Sequence, residues 1–160
     1  MREKILSIIQ NDSRMQISEI AAMIGKSEEE VSAEIEKMEK EHIICGYHTI
    51  INWEKAGSDK VSAIIEVSVT PGRDVGFDDI AAKIYRFKEV TSVYLVSGSF
   101  DLLVTVEGED LKDVAQFVAQ HLSAMESVLS CKTNFVLKRY KEHNAILEKG
   151  QKDERVQMLS

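Results

Sequence analysis

The stretch VTSVYLVSGSFDLLVTV, residues 90–106, decides the fold. Two runs rich in β-branched and apolar residues, Val90–Val96 and Phe100–Val106, flank Ser97-Gly98-Ser99. Two such runs around a short Gly/Ser turn read as an antiparallel hairpin. Upstream, Lys60–Thr70 (KVSAIIEVSVT) reads as a strand stopped by Pro71-Gly72. Val75–Phe87 then reads as a helix, with Phe77, Ile80, Ala81, Ile84 and Phe87 on one face. Downstream, Asp110–Ser123 reads as a helix through Leu111, Val114, Phe117, Val118 and Leu122, and Val128–Leu137 as a closing strand. The order βαββαβ is a split βαβ arrangement of the α+β class, with both helices on one face of the sheet.

The beginning of the chain has a helical period. Ile5, Leu6, Ile8 and Ile9 share a face over residues 2–11, and Asn11-Asp12-Ser13 breaks it. Ile17, Ile20, Ala21 and Ile24 define a second helix, with Ser18 as N-cap and Gly25 as stop. Ser27 and Glu30 have capping-box spacing, and Val31, Ile35 and Met38 carry a third helix to about Glu41. Two helices joined across Ile24-Gly25-Lys26-Ser27, after a leading helix, have helix-turn-helix spacing. Residues 43–57 (IICGYHTIINWEKAG) change period again and read as a short strand and linker, with Trp53 as a packing anchor. From Lys138 onward the chain is polar, a helical extension or a frayed tail. The resulting division is 1–48 helix-turn-helix, 49–59 linker strand, 60–140 βαββαβ domain and 141–160 polar C-terminal extension.

Composition restricts function. With 20 basic and 27 acidic residues the 160-residue chain carries a net charge of −7, and 44% apolar content with one Pro describes a compact soluble protein. No apolar run approaches the roughly 18 residues that a membrane span requires. MREKILSIIQNDSR at the start lacks a small-residue cleavage site, so a cytoplasmic protein is expected. Cys45 and Cys131 form no CxxC motif and are expected to be buried free thiols. The four His (42, 48, 121 and 143) show no metal-ligand spacing, and His42 is expected to cap the third helix. No nucleophile–base pair, phosphate-binding loop or paired-carboxylate motif stands out, so neither catalysis, metal nor cofactor is expected.

Three local stretches carry a family resemblance: Ile17-Ser18-Glu19-Ile20-Ala21 with Gly25-Lys26-Ser27, Ile43-Ile44-Cys45-Gly46-Tyr47, and above all Val93–Asp101. In this order and spacing the chain resembles the Lrp/AsnC, or feast/famine, transcription regulators of bacteria and archaea, over roughly residues 2–140. The resemblance implies a winged-type helix-turn-helix domain followed by a ferredoxin-like βαββαβ domain of RAM/AsnC type. It also implies homodimers joined sheet to sheet and assembling into tetramers or octamers. An effector, usually an amino acid, would sit between C-terminal domains near the hairpin, and paired N-terminal domains would bind double-stranded DNA.

In the hairpin, Gly98 is expected to adopt a backbone geometry forbidden to a side chain and to offer its N–H to a ligand carboxylate. Asp101 either accepts from a ligand ammonium or holds its own turn. Ser97 and Ser99 are the nearby hydroxyls. From the resemblance, Thr133 matches a frequent family Thr or Ser facing the site, with Ser130 as a further candidate. The third helix is unusual: Ser27–Glu41 holds seven Glu (28, 29, 30, 34, 36, 39 and 41) against two Lys. Family members usually carry Arg or Lys near positions that here are Ala33, Glu34 and Glu36. Phosphate contacts supply most DNA affinity, so Arg14, Lys26, Ser27, Lys37 and Lys40 are the DNA-binding candidates, weak per domain and strengthened by multivalency. A Glu can accept from cytosine N4. A ligand-binding oligomer with weak or lost DNA binding is the alternative to a DNA-binding regulator. Haem-biosynthetic decarboxylases resemble the same two-domain layout, but this chain's few Arg and scattered His rank an enzyme last.

Overall fold

The computed structural model describes residues 1–73 and 75–148, so the end of the expected C-terminal extension lies outside the described residues. The chain divides into two compact units at Ile50/Ile51.

The first unit contains α1 (Arg2–Asn11), α2 (Ile17–Ile24) and α3 (Glu28–Lys40). Helix α2 starts at Gln16, whose N–H donates to the Glu19 carboxylate at 3.1 Å, so Ser18 lies inside the first turn and is not the expected cap. Gly25 ends α2 in the left-handed region at φ 68°, a conformation that costs glycine little. At α3 the expected capping box forms: Ser27 Oγ accepts from Glu30 N at 3.2 Å, and the Glu30 carboxylate accepts from Ser27 N at 3.1 Å. Ile5, Ile20, Ala21, Val31, Met38 and Ile44 form the core.

Helix α3 ends in a Schellman motif with His42 in the position that usually holds glycine, at φ 55°. His42 N donates to Glu39 O at 3.1 Å and Ile43 N to Met38 O at 2.9 Å. A side chain in this conformation is strained, so His42→Gly should stabilise the unit by about 0.5–1 kcal/mol. A thermal melt would show a midpoint higher by a few degrees, and an unchanged or lower midpoint would contradict the strain argument. No strand follows in this unit among the described residues, so the expected wing is not seen within one chain. Within the chain no neighbouring strand lies beside this run for it to pair with.

In the second unit the linker strand expected over 49–59 is replaced by one helical turn, α4 (Trp53–Ala56). Asn52 Oδ1 accepts from Lys55 N at 3.1 Å, and Gly57 at φ 76° ends the turn, so local capping chemistry wins over strand propensity. Strands β1 (Val61–Val69), β2 (Val90–Leu95), β3 (Leu102–Gly108) and β4 (Val128–Phe135) form an antiparallel sheet in the order β2-β3-β1-β4. Helix α5 (Phe77–Ile84) follows β1, and α6 (Leu111–Phe117) follows β3 and continues through a π turn over Val118–Leu122. This is the expected α+β, ferredoxin-like βαββαβ topology.

Strand alternation builds the core. Ala63, Ile65, Val67 and Val69 of β1 and Leu102, Val104 and Val106 of β3 are buried with Ile80, Ile84, Val114 and Leu122 of the helical segments. The intervening residues Ile64, Glu66, Leu103 and Thr105 lie on the opposite face. Beyond β4, β5 (Lys141–Glu142) and β6 (Ala145–Ile146) make a small hairpin in place of the helix or frayed end expected there. Its turn residues, His143 and Asn144, both have positive φ, the signature of a type I′ turn. No helix of the described residues is long and apolar enough to cross a membrane.

Candidate functional site

On α3 the structure separates the seven glutamates by the face they occupy. At 100° per residue, Val31, Ile35 and Met38 form the inward stripe, and Glu29, Ala33, Glu36, Lys37 and Lys40 lie opposite and exposed. The outward stripe therefore carries two acidic and two basic residues and is neutral. The remaining glutamates sit on the flanks or at the start. Arg2 donates through Nε to Glu34 and through Nη1 to Glu41 at 2.7 Å, neutralising part of one flank. The Arg2 hydrogen bond also holds the Glu41 carboxyl below its ordinary range. Glu30 is lowered by the Ser27 backbone N–H and then by Lys26, which pairs with it at 3.1 Å. Tyr47 Oη donates to Glu39 at 2.8 Å.

Of the basic candidates, Lys37 and Lys40 share the outward stripe. Lys26 and Ser27 lie at the start of α3, engaged by Glu30. Arg14 is exposed in the α1–α2 turn, where its backbone N–H donates to Asp12 Oδ1 at 2.9 Å. Reading along the sequence missed Arg2 and Tyr47. Arg2 lies 32 and 39 residues from its partners, too far for any helical spacing rule to connect them.

The hairpin turn runs from Val96 to Asp101 and is closed by Val96 N donating to Asp101 O at 2.9 Å. Asp101 holds the neighbouring strand more than its own turn: Oδ2 accepts from Val69 N at 2.8 Å, and Asp101 N donates to Val67 O at 3.1 Å. The Val69 bond falls where the β1–β4 register shifts between Ser68 and Val69, so the carboxylate serves an amide beside a ladder irregularity. Oδ1 has no partner among the described residues.

Gly98 is not in the left-handed region, and an added Cβ there would meet nothing within 4 Å. The expectation that its backbone geometry forbids a side chain is thus corrected, because the turn spans six residues and needs no tight reversal at Gly98. Ser97 and Ser99 are exposed beside it. Ser130 pairs with Ser68 on the sheet face away from the helices, at the same sheet end as Asp101. Thr133 pairs with buried Ile65 and so shares the helix-covered face, opposite to that of Ser130. Within one chain the turn and Ser130 lie at one end of the sheet, and Thr133 does not join them.

The thiols also depart from expectation. Cys45 is exposed because it follows the α3 cap, where its Sγ lies 3.1 Å from His42 O. Cys131 is partly buried against the core, and that burial pushes its thiol pKa up.

A helix-turn-helix unit joined to a ferredoxin-like unit with an open sheet face defines a two-domain transcription regulator. Residues 3–39 match the AsnC-type helix-turn-helix domain, and residues 62–146 match the Lrp/AsnC ligand binding domain. The chain is 46% identical over 154 residues to YugG, an uncharacterised HTH-type transcriptional regulator of Bacillus subtilis, covering 96% of this chain and 93% of that one. Its fold is similar to that of a Neisseria meningitidis transcriptional regulator solved as an L-Met complex (TM-score 0.68, 25% identity, 87% and 89% of the two chains covered). It is also similar to a feast or famine regulatory protein of M. tuberculosis complexed with L-methionine (TM-score 0.70, 20% identity, 91% and 96% covered). The protein belongs to the Lrp/AsnC family of DNA-binding transcription regulators.

Proposed function

We propose that this regulator binds double-stranded DNA through α3, with Lys37 and Lys40 on phosphates, and responds to an amino acid held at the Ser97–Asp101 turn. It acts in the cytoplasm and catalyses no reaction. The observation that carries the effector reading is Asp101: one carboxylate oxygen is bound to the Val69 amide, which fixes the group, while the other is open to an ammonium. Gly98 and the hydroxyls of Ser97 and Ser99 offer donors for the carboxylate of the same ligand. The L-methionine complexes of the two structural neighbours supply the first effector to try.

The open sheet face supports assembly. The face left open by α5 and α6 carries Ile64 and Tyr94, 38% and 56% exposed, beside Glu66 and Lys132, which pair at 3.5 Å. Two such faces pack as a homodimer, and dimers join into tetramers or octamers, bringing the turn and Ser130 of neighbouring domains together. The acidity of α3 is what speaks for a ligand-binding oligomer with weak or lost DNA binding, and the neutral outward stripe weighs against it.

The test is fluorescence anisotropy with the duplex upstream of the protein's own gene against a scrambled duplex, across a salt series, with and without L-methionine. Preferential binding of the upstream duplex that weakens steeply with salt, and shifts with L-methionine, is expected. Equal binding of both duplexes, or none at low salt, overturns the DNA reading. Binding indifferent to every amino acid overturns the effector reading.

A further inference from the structure

A groove of about 260 Å³ lies at the end of the sheet remote from the Ser97–Asp101 turn, beside the start of β1, the end of β3 and the chain beyond β4. One wall is the linker: Trp53, 45% exposed, faces the groove with Leu147 and Val136. Asn52 closes this wall against the C-terminal hairpin. Its Oδ1 caps α4, and its Nδ2 donates to Leu147 O at 2.9 Å across 95 residues of sequence.

The charges lining the groove fall into two groups. Arg139 is engaged by Glu107 at 3.4 Å and Glu142 at 3.6 Å, and Lys138 by Glu148 at 2.6 Å. Lys60, Asp59 and Glu54 also line it and form no salt bridge among the described residues. Glu54 also acts on the Lys138 charge, so the groove offers, among the described residues, Lys60 and Asp59 outside any ion pair, Glu54 beside Lys138, and an indole beside apolar side chains. A site that is concave, partly apolar and furnished with a few polar groups suits a small ligand, and this one is smaller than the roughly 300–1,000 Å³ of drug-sized pockets.

We infer that this groove is a second ligand site, complete within one chain, for a free α-amino acid with an apolar side chain. The ammonium lies between Asp59, Glu54 and the Trp53 face, the carboxylate meets Lys60, and the side chain packs on Leu147 and Val136. The inference deepens the amino-acid-effector reading and rests on it. Because the wall that closes on the ligand is the segment joining the two units, occupancy restrains α4 and with it the chain leading to the helix-turn-helix.

Trp53 is the only tryptophan of the chain, so its emission reports on this groove. The full-length protein is titrated with L-methionine, N-acetyl-L-methionine and L-methionine methyl ester, following Trp53 emission, with equilibrium dialysis of labelled L-methionine in parallel. A saturable emission change with L-methionine is expected, at least tenfold weaker for each blocked analogue. The same loss is expected in Lys60→Ala and in Asp59→Ala, both exposed positions, while Gly98→Val keeps the response. A response lost in Gly98→Val and retained in Lys60→Ala would assign the ligand to the turn alone and overturn the groove site. Dialysis binding without an emission change overturns the groove and leaves the effector reading intact, whereas no binding of any amino acid by either method overturns both.

Discussion

Replacing Lys37 and Lys40 together by Ala is expected to weaken binding to the upstream duplex roughly sixtyfold at 0.1 M salt, and to reduce the salt slope by about 2 per bound domain. Both figures follow from counterion release, in which each phosphate contact contributes a slope of about −0.9 and hence about eightfold at that salt. These two lysines are the basic groups of the exposed stripe opposite Val31, Ile35 and Met38. Lys26→Ala should cost far less, because Lys26 already shares its charge with Glu30 across a solvent-exposed pair. Glu29→Gln and Glu36→Gln act in the opposite direction and tighten binding to every sequence. If Glu36 reads a cytosine, its variant also loses preference at one base pair, by about 1–3 kcal/mol. An unchanged salt slope in the double lysine variant would place the phosphate contacts elsewhere on the domain.

Asp101→Ala should destabilise the C-terminal unit by about 2 kcal/mol, the magnitude of a hydrogen bond to a charged group whose loss leaves an amide unpaired. For a domain of this size that lowers the melting midpoint by roughly 10 °C. The amide is that of Val69, 5% exposed, and it donates to the Asp101 carboxylate at the register shift of β1 against β4. Asp101→Asn keeps an acceptor for Val69 N and should recover most of the stability while removing the charge that an ammonium needs. Gly98→Ala should leave the midpoint unchanged, since its Cβ meets nothing within 4 Å. Calorimetric melts of the three variants, with L-methionine binding measured on each, separate the folding role of the turn from its ligand role. A stable Asp101→Ala protein would refute the strand-holding role.

The sheet was legible because alternation and turn chemistry agree from Lys60 to Leu137, and burial of every second residue in β1 and β3 follows that pattern. Ser27-x-x-Glu30 was legible for the same reason, two local signals pointing to one helix start. Errors came where local preference competes with its surroundings. Ser18 ranks above Gln16 as a cap, yet the Glu19 carboxylate reaches back to Gln16. A glycine in a Ser-Gly-Ser turn suggests positive φ, whereas positive φ is found at Gly25, Gly57, His42, His143 and Asn144. A count of charge along α3 could not show which face each carboxylate occupies or which distant cation meets it. The groove walled by Trp53 and Leu147 was invisible, since its lining joins residues almost a hundred positions apart.

The balance of two Glu and two Lys on the outward stripe of α3 has an evolutionary consequence. A single base change turns a glutamate codon into a lysine codon, or the reverse, and each such exchange alters the stripe by two charges. Starting from neutrality, one point mutation can move this surface strongly toward DNA or away from it, while the stripe that packs against α1 and α2 stays untouched. Descendants of one such regulator can therefore diverge in operator affinity without renegotiating the fold that carries it.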